Sequence, residues 1–254
     1  MFTIRASSWP TLFDCSLRWY FDNVVGLRMP SGTPARLGTA IHSGCAEWDR
    51  GVGAWDAADL SAHAFLNPPD EVEQIGQIAT NEAVNIARKV TYAYTQKWGR
   101  REFSHVELEV AECIVKVDGY ELCITGHVDR ISNGEVKDLK TGARRVNAQG
   151  VVDIGADHLQ LGVYALMASA ELGRDVVSND VTIIGGSTTT FQWAERTVHG
   201  AMQIMLGDDQ SEGILSIAAK MLKHGVFAPN PKSLLCSEKY CAAFANKRCK
   251  YHGK

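Results

Sequence analysis

The stretch GHVDRISNGEVKDLKTG, residues 126 to 142, contains two runs of alternating apolar and polar side chains separated by an Asn-Gly pair. Alternation with a period of two predicts β-strands, and Asn-Gly is a strong signal for the tight turn of a hairpin. Asp129 lies in the first run, and Asp138 and Lys140 lie two residues apart in the second. Because residues two apart on a strand share a face, we expect Asp138 and Lys140 to project together while Leu139 faces the core.

The hairpin gives these charged side chains a chemical meaning. It can place the carboxylate of Asp129 near that of Asp138, and two close carboxylates repel unless a cation lies between them. Oxygen ligands favour Mg²⁺ or Mn²⁺. A lysine beside such a site could position a water molecule or stabilise charge that grows on a phosphoryl group. An Asp-x-Lys spacing alone occurs by chance in many proteins, so other motifs must support the metal site.

The segments around this hairpin predict an α/β fold with a central mixed β-sheet flanked by helices. One alternating run, residues 105 to 117, precedes an Asp-Gly turn, and the run after that turn, residues 120 to 131, continues into the hairpin, so the three runs make a meander. Residues 176 to 186 predict a further strand. Apolar residues at helical spacing predict helices, namely residues 7 to 21, 38 to 50, 56 to 66, 71 to 98, 157 to 172 and 197 to 224. We expect one domain, residues 1 to 254, with a helical insertion at about residues 50 to 100 and a cysteine-rich tail at 229 to 254.

Composition places the chain among ordinary globular proteins. It has 254 residues, 45% hydrophobic and 22% charged, and a formal net charge of −3. No apolar run is long enough for a transmembrane helix, and the first residues lack the layout of a secretory signal, so a cytoplasmic protein is expected. The net charge argues against a broadly basic surface but allows a local basic groove. Candidates for such a groove are Arg100, Arg101, Arg144 and Arg145.

Four motifs follow one another in a recognisable order. They are GTAIH at 38 to 42, GHVDR at 126 to 130, EVKDLKTG at 135 to 142 and HLQLGVYAL at 158 to 166. In this order the chain resembles the RecB-like nucleases of the PD-(D/E)XK superfamily. These segments look like the family's Gly-x-x-x-His helix, Gly-x-x-Asp-Arg strand, Asp-x-Lys-Thr-Gly strand and Gln-x-x-x-Tyr helix. The resemblance implies the restriction-endonuclease-like core of that superfamily.

The resemblance also implies roles for the residues that match these motifs. His42, Asp129 and Asp138 would ligate Mg²⁺ or Mn²⁺, together with the carbonyl of Leu139. Lys140 would be the catalytic lysine, acting with the two aspartates.

Three further residues are implied to contact or position the substrate. Gln160 and Tyr164, four residues apart on one helix face, would contact DNA or orient the lysine. Glu109 resembles an acidic residue on the first core strand of some members, and Glu107 is an equally good candidate by spacing.

The chain has seven cysteines, and three of them lie in the last 19 residues with the spacing C-x4-C-x7-C. An odd number of cysteines without a signal peptide disfavours a disulfide framework. Three thiolates need a fourth ligand, and the resemblance implies that Cys15 joins Cys236, Cys241 and Cys249 around a [4Fe–4S] cluster. Zinc could also use four thiolates, with His252 as a conceivable substitute ligand.

Together these features predict a metal-dependent DNA nuclease, with exonuclease action expected. DNA end processing in recombination, phage replication or CRISPR adaptation would suit it. A helicase or recombination protein could be a partner, because the chain has no G-x-x-x-x-G-K-[ST] motif of its own. Two alternatives stay open, a catalytically idle DNA-binding module held together by the iron–sulfur cluster and an iron–sulfur redox protein. RNA is a less favoured substrate.

Overall fold

The structure, a computed structural model, describes residues 2–68, 80–155, 157–173 and 177–251. Within these residues it contains one six-stranded sheet. The strands are β1 Phe2–Arg5, β2 His105–Val117, β3 Tyr120–Ser132, β4 Glu135–Gly142, β5 Val181–Ser187 and β6 Trp193–Val198.

Helices precede, interrupt and follow this sheet. The α-helices are α1 Trp9–Asp14, α2 Ser16–Tyr20, α3 Thr33–Asp49, α4 Ala54–Leu66, α5 Thr80–Trp98, α6 His158–Leu172, α7 Ala201–Leu206, α8 Ile214–Lys223 and α9 Ala242–Ala245. A 3₁₀ turn, Ala6–Ser8, precedes α1, and a π-turn, Phe21–Val25, follows α2. No helix in the described ranges combines the length and apolar character needed to cross a membrane.

The predicted meander is confirmed, because β2, β3 and β4 pair antiparallel in sequence. Both connecting turns require left-handed backbone at two successive residues. The φ angles are 51° and 71° at Asp118 and Gly119, and 51° and 74° at Asn133 and Gly134. Asp, Asn and Gly tolerate this conformation better than other residues, which is why the two turns form here.

Strand β3 has three partners for its two edges, and this leaves an opening in the sheet. β2 follows β3 from one end to the other along one edge. On the opposite edge β1 pairs in parallel with residues 122 to 125, and β4 pairs with residues 130 to 132. Residues 126 to 129 of β3 therefore face a gap between β1 and β4. Two motif residues, Gly126 and Asp129, lie at this gap.

The glycine of the GHVDR motif has a packing reason. A Cβ atom at Gly126 would lie 3.1 Å from the Cβ of Ala6 and 3.3 Å from the Cε of Met167. The 3₁₀ turn after β1 therefore crosses β3 closely at this position, with α6 beside it. A larger side chain would push the N-terminal segment away from the gap.

Helices cover both faces of the sheet. Apolar side chains of α6, α7 and α8 pack on one face with those of α1 and α2, and α3 and α5 pack on the other face. Neighbouring residues of β5 show the alternation, since Ile183 belongs to the first core and Ile184 to the second. Leu139 is fully buried in the second core, as predicted.

The secondary structure differs from the prediction mainly at its ends. The predicted helix at 7 to 21 is divided between the 3₁₀ turn, α1 and α2, and α3 begins at Thr33 rather than at residue 38. Residues 197 and 198, predicted as helical, end β6, which pairs with β5. Neither β1 nor β6 was predicted. Part of the predicted helix at 71 to 98 lies outside the described residues.

The N-terminal segment is attached to the chain's C-terminal segment by hydrogen bonds. Ser16 Oγ accepts the N–H of Ala228 at 2.7 Å, and Leu17 donates its N–H to the Ala228 carbonyl at 3.2 Å. Ser233 Oγ donates to the Asp14 carboxylate at 2.6 Å. These bonds place the region around Cys15 beside the cysteine-rich tail.

Candidate active site

The gap in the sheet opens into a cleft of about 690 Å³. It lies where α3 and α6, from opposite layers, approach the same point of β3 and β4. Its lining includes six of the residues that the sequence marked for a site, namely His42, Glu109, Asp129, Lys140, Gln160 and Tyr164.

Asp129 connects the two strands that border this cleft. Its Oδ2 accepts the backbone N–H of Leu139 at 2.7 Å. The register from Arg130 onward pairs β3 with β4, but the strands diverge beyond that point, so a side chain takes this N–H. The same Oδ2 lies 3.6 Å from Nδ1 of His42. Burial lowers the pKa of His42 to about 4 despite the nearby carboxylate, so the imidazole is neutral near pH 7, the form that binds metals.

Asp138 and Lys140 project together, as predicted, and form an ion pair. Lys140 Nζ donates to Asp138 Oδ1 at 2.8 Å and lies 2.7 Å from Oδ2, which has no hydrogen bond of good geometry. Asp138 is fully buried behind the lysine rather than lining the cleft. Burial raises the pKa of Asp138, and the Lys140 ammonium only partly offsets this. Burial disfavours the charged lysine, but Asp138 and Asp129 outweigh it and raise the pKa of Lys140.

Tyr164 contacts the lysine from the α6 side, and Gln160 is hydrogen-bonded to that tyrosine. Gln160 Nε2 donates to the Tyr164 hydroxyl at 2.6 Å, and both residues are buried. Lys140 Nζ lies 5.7 Å from the centre of the Tyr164 ring, within the range of a cation–π contact. Because Gln160 and Tyr164 are one turn apart on α6, the amide contacts the phenol and the phenol ring contacts the Lys140 ammonium, and all three residues line the cleft.

A buried ion-pair network surrounds Arg130, the residue after Asp129 in β3, and sequence reasoning missed it. Arg130 is fully buried, and its Nε donates to Asp49 at 2.8 Å while its Nη1 donates to Glu107 at 3.0 Å. Tyr94 donates its hydroxyl to Asp49 at 3.0 Å. Burial raises the pKa values of Asp49 and Glu107, and Arg130 opposes both shifts. The available signal was an arginine inside an apolar strand, which requires a buried anionic partner.

The two glutamates of β2 have different surroundings. Glu109 lines the cleft and pairs in register with His127. Glu107 is engaged by Arg130, and the charge of Asp129 adds to the raised pKa of its carboxyl. Glu109 is therefore exposed to a ligand in the cleft, while Glu107 belongs to the buried network.

The arginines suggested for a basic groove are largely engaged elsewhere. Arg100 donates to the backbone carbonyls of α3 and of the turn after it, and Arg101 pairs with Glu195 at 2.5 Å. Arg145 pairs with Asp157 at 2.6 Å. None of the four suggested arginines lines the cleft.

The donor types in the cleft suit a hard divalent cation. Asp129 supplies a carboxylate in the cleft and His42 a neutral imidazole, and Asp138 adds a second carboxylate that is buried behind Lys140. Across the described ranges, however, no three His, Cys, Asp or Glu side chains already form a set that could hold a metal ion. The carboxylate of Asp138 is turned to the ammonium of Lys140.

The four cysteines of the predicted cluster share a small cavity that is separate from the cleft, the four-cysteine cavity. Its volume is about 20 Å³, about the space of one water molecule. It is lined by Cys15, Cys236, Cys241 and Cys249. The other three thiols contribute to the raised pKa of Cys236, after burial, which places all four within electrostatic reach. The four thiols line one apolar cavity, but in the part of the chain that the structure describes they do not stand as a set that could already hold a metal ion. His252, the suggested substitute ligand, lies outside the described residues.

Comparison with known proteins adds a family to this geometry. The model of the PD-(D/E)XK nuclease superfamily matches residues 5–250. A solved structure described as the crystal structure of SSO0001 is 14% identical, with a TM-score of 0.45, and the match covers 100% of this chain and 89% of that one. No curated protein matches the chain significantly.

Proposed function

Because this chain belongs to the PD-(D/E)XK nuclease superfamily, we propose that it is a Mg²⁺- or Mn²⁺-dependent deoxyribonuclease of the RecB-like type. The observation that carries the proposal is the convergence of His42, Asp129, Lys140, Gln160 and Tyr164 on one cleft at the gap between strands. These residues come from α3, β3, β4 and α6, and no structural need of the core explains why they meet.

The ligands proposed for the metal are His42, Asp129, Asp138 and the carbonyl of Leu139. The Leu139 N–H points at Asp129, and in a strand the N–H and C=O of one residue lie on the same side, which supports a carbonyl facing the gap. A bound divalent cation would activate water and neutralise charge on the phosphate. Asp129 is held for this role by the Leu139 N–H, and His42 is neutral without needing to lose a proton.

Lys140 is the proposed catalytic lysine. Its ammonium is held by Asp138 and by the ring of Tyr164, and Gln160 fixes the hydroxyl of that tyrosine. When Asp138 turns to a cation, the ammonium becomes available to an anionic oxygen of the substrate. A fixed positive charge there stabilises the charge that develops on the phosphoryl group. Glu109, on the cleft wall, is proposed to position substrate.

The four-cysteine cavity is proposed to hold a metal group, a [4Fe–4S] cluster in preference to zinc. The four thiols support this by donor type and by sharing one cavity. The chain supplies the ligands from both of its ends, so the group would cross-link α1 and α2 to the C-terminal tail. Such binding becomes part of the free energy of folding.

The experiment compares linear end-labelled DNA with circular DNA, in Mg²⁺, Mn²⁺ or EDTA, for the wild type and for Lys140→Ala. We expect the wild type to cleave DNA from its ends in a metal-dependent way, and we expect cleavage by the variant to be strongly reduced. If circular DNA is also cleaved, the enzyme is an endonuclease and the proposed exonuclease action is wrong. Metal-dependent binding without cleavage by the wild type would favour the idle binding module instead.

The proposed end-directed cleavage favours a class of biological process. An enzyme that degrades from ends would suit DNA end processing in recombination, phage replication or CRISPR adaptation. Such an enzyme would receive its single strands from a helicase or recombination protein. The matching comparison uses RNA of the same sequence, which we expect to be cleaved more slowly than DNA.

A further inference from the structure

The active-site cleft continues into a second cavity along the N-terminal segment. This second cavity has a volume of about 240 Å³. Arg5 and Ser7 line both it and the cleft, so the two spaces share one wall. β1 ends at Arg5, which is opposite Thr125 of β3, one residue before the gap. The path from the gap therefore leads directly past the Arg5 side chain.

The second cavity carries an excess of positive charge. Arg5, Arg18 and Arg28 line it against one carboxylate, that of Asp22, which lies 3.4 Å from Arg18. Arg5 is exposed, and its side chain has no ion pair or hydrogen bond within the described residues. Arg28 uses its Nε and Nη2 for the Asp22 carbonyl and for Asn23, which leaves Nη1 available. Guanidinium groups in this state bind phosphate oxygens strongly.

An exposed aromatic ring completes the lining. Tyr240 is 43% exposed, and it lies in the tail between Cys236 and Cys241. Arg18 lines both this cavity and the four-cysteine cavity. A cationic groove with an aromatic face is the combination that binds single-stranded nucleic acid, since cations follow the phosphates and rings stack on the bases.

We propose that Arg5, Arg28 and Tyr240 form a binding groove for the single-stranded DNA flank that extends from the phosphate held at Lys140. The assignment of the scissile phosphate rests on the proposed function, but the groove itself is argued from its own charge and shape. Arg5 contacts the phosphate nearest the cleft, Arg28 a phosphate further along, and Tyr240 stacks on a base. The cysteine-rich tail then has a direct part in holding substrate, as one wall of the groove.

The test measures binding separately from cleavage. All variants are made in a Lys140→Ala background and titrated, in Mg²⁺, with fluorescent single strands of about 4 to about 16 nucleotides. Arg5→Ala and Arg28→Ala should each weaken binding of the longer strands by about tenfold. Each should also lower the slope of log affinity against log salt by about 0.7. Arg5→Lys should restore part of the affinity.

Matched controls separate the groove from general charge and from folding. Arg88→Ala removes an arginine that pairs with Asp59 and lines neither cavity, and it should leave affinity and salt slope unchanged. Tyr240→Leu should weaken binding at least about fivefold, while Tyr240→Phe keeps the ring and the affinity. Melting curves for each variant show that the fold is retained.

The outcomes distinguish the groove from the nuclease proposal. Equal affinities and salt slopes for Arg5→Ala, Arg28→Ala and Arg88→Ala overturn the groove, as does absence of strand binding by the parent protein. Tighter binding of blunt duplex or of RNA than of single-stranded DNA also overturns it. A different result separates the two proposals. If the protein with Lys140 intact does not cleave DNA, and Arg5→Ala and Arg28→Ala still weaken binding, the nuclease proposal fails and the groove stands.

Discussion

Asp129 accepts a hydrogen bond from the backbone N–H of Leu139 across the point where β3 and β4 separate. A side chain thus replaces the backbone partner that the sheet would otherwise supply at that position. This bond orients the carboxylate toward His42, whose Nδ1 is 3.6 Å away. The geometry of the cleft is therefore set by a feature of the sheet itself.

The first prediction concerns Asp129→Asn. The amide oxygen can still accept the Leu139 N–H, so we expect the melting temperature to stay close to that of the wild type. The negative charge is lost, and nuclease activity should fall by roughly 100-fold or more. Activity is measured on end-labelled DNA, with Asp59→Asn, an exposed aspartate, as the control. Full activity of Asp129→Asn would remove Asp129 from the metal site.

The second prediction concerns Lys140→Ala, in which cleavage and metal binding should separate. Removing the ammonium frees the Asp138 carboxylate, so Mn²⁺ binding measured by calorimetry should be retained or strengthened. Cleavage should fall by about 10²-fold to 10³-fold, because a preorganised charge is lost. A variant that loses metal binding together with activity would contradict the view that the lysine competes with the cation.

The third prediction concerns pH. Burial raises the pKa of Asp138, so a proton competes with the metal for this carboxylate up to higher pH than for an exposed aspartate. Mn²⁺ affinity should therefore rise with pH, by up to about tenfold per unit, until Asp138 is ionised, and then level off. His42, with its pKa lowered to about 4, is already neutral and adds nothing to this slope near neutral pH. Calorimetric titrations at several pH values give the slope, and a flat profile would contradict the assignment of Asp138 as ligand.

The fourth prediction concerns the buried Arg130. Arg130→Met leaves Asp49 without its cation, and we expect the free energy of unfolding to fall by about 3 to 5 kcal/mol. The exposed pair of Arg88 and Asp59 is the control, since Arg88→Met should cost less than about 1 kcal/mol. The double variant Arg130→Met with Asp49→Leu should recover part of the loss. Urea unfolding measures all four proteins, and equal losses at the two arginines would show that the network does not stabilise the fold.

The fifth prediction concerns the four thiols. Protein purified without oxygen should be brown and contain iron, and Cys249→Ala should lose both colour and thermal stability. Cys113→Ala, at a buried position that does not line the four-cysteine cavity, is the control and should keep the metal. A colourless wild type that contains zinc would replace the cluster with a zinc site. If the wild type contains no metal and Cys249→Ala has the same melting temperature, the four thiols do not bind a metal and serve only in packing.

The hairpin and its charged face were predictable because their signals are local. The Asn-Gly pair specifies a left-handed turn, and the period of two places Asp138 with Lys140 and Leu139 in the core. No tertiary information is needed for either conclusion. The ion pair between Lys140 and Asp138, which separates Asp138 from the cleft, could not be predicted in this way, because it depends on how deeply β4 is buried.

Other features could not be predicted because distant residues decide them. β1 has four residues and carries no signal of its own, and it becomes a strand by pairing with residues 122 to 125. The partner of Arg130 is Asp49, 81 positions earlier in the chain. Three of the four arginines suggested for a basic groove, Arg100, Arg101 and Arg145, are engaged elsewhere, while Arg5 lines the cleft because β1 ends there.

The register of β1 with β3 also decides which of its side chains faces the cleft. Ile4 is fully buried and Arg5 is exposed, on opposite sides of the strand. Sliding β1 by a single residue against β3 would exchange these two positions, burying a guanidinium and presenting an isoleucine to the substrate path. Arg5 therefore reaches the substrate path only while β1 keeps its register with residues 122 to 125.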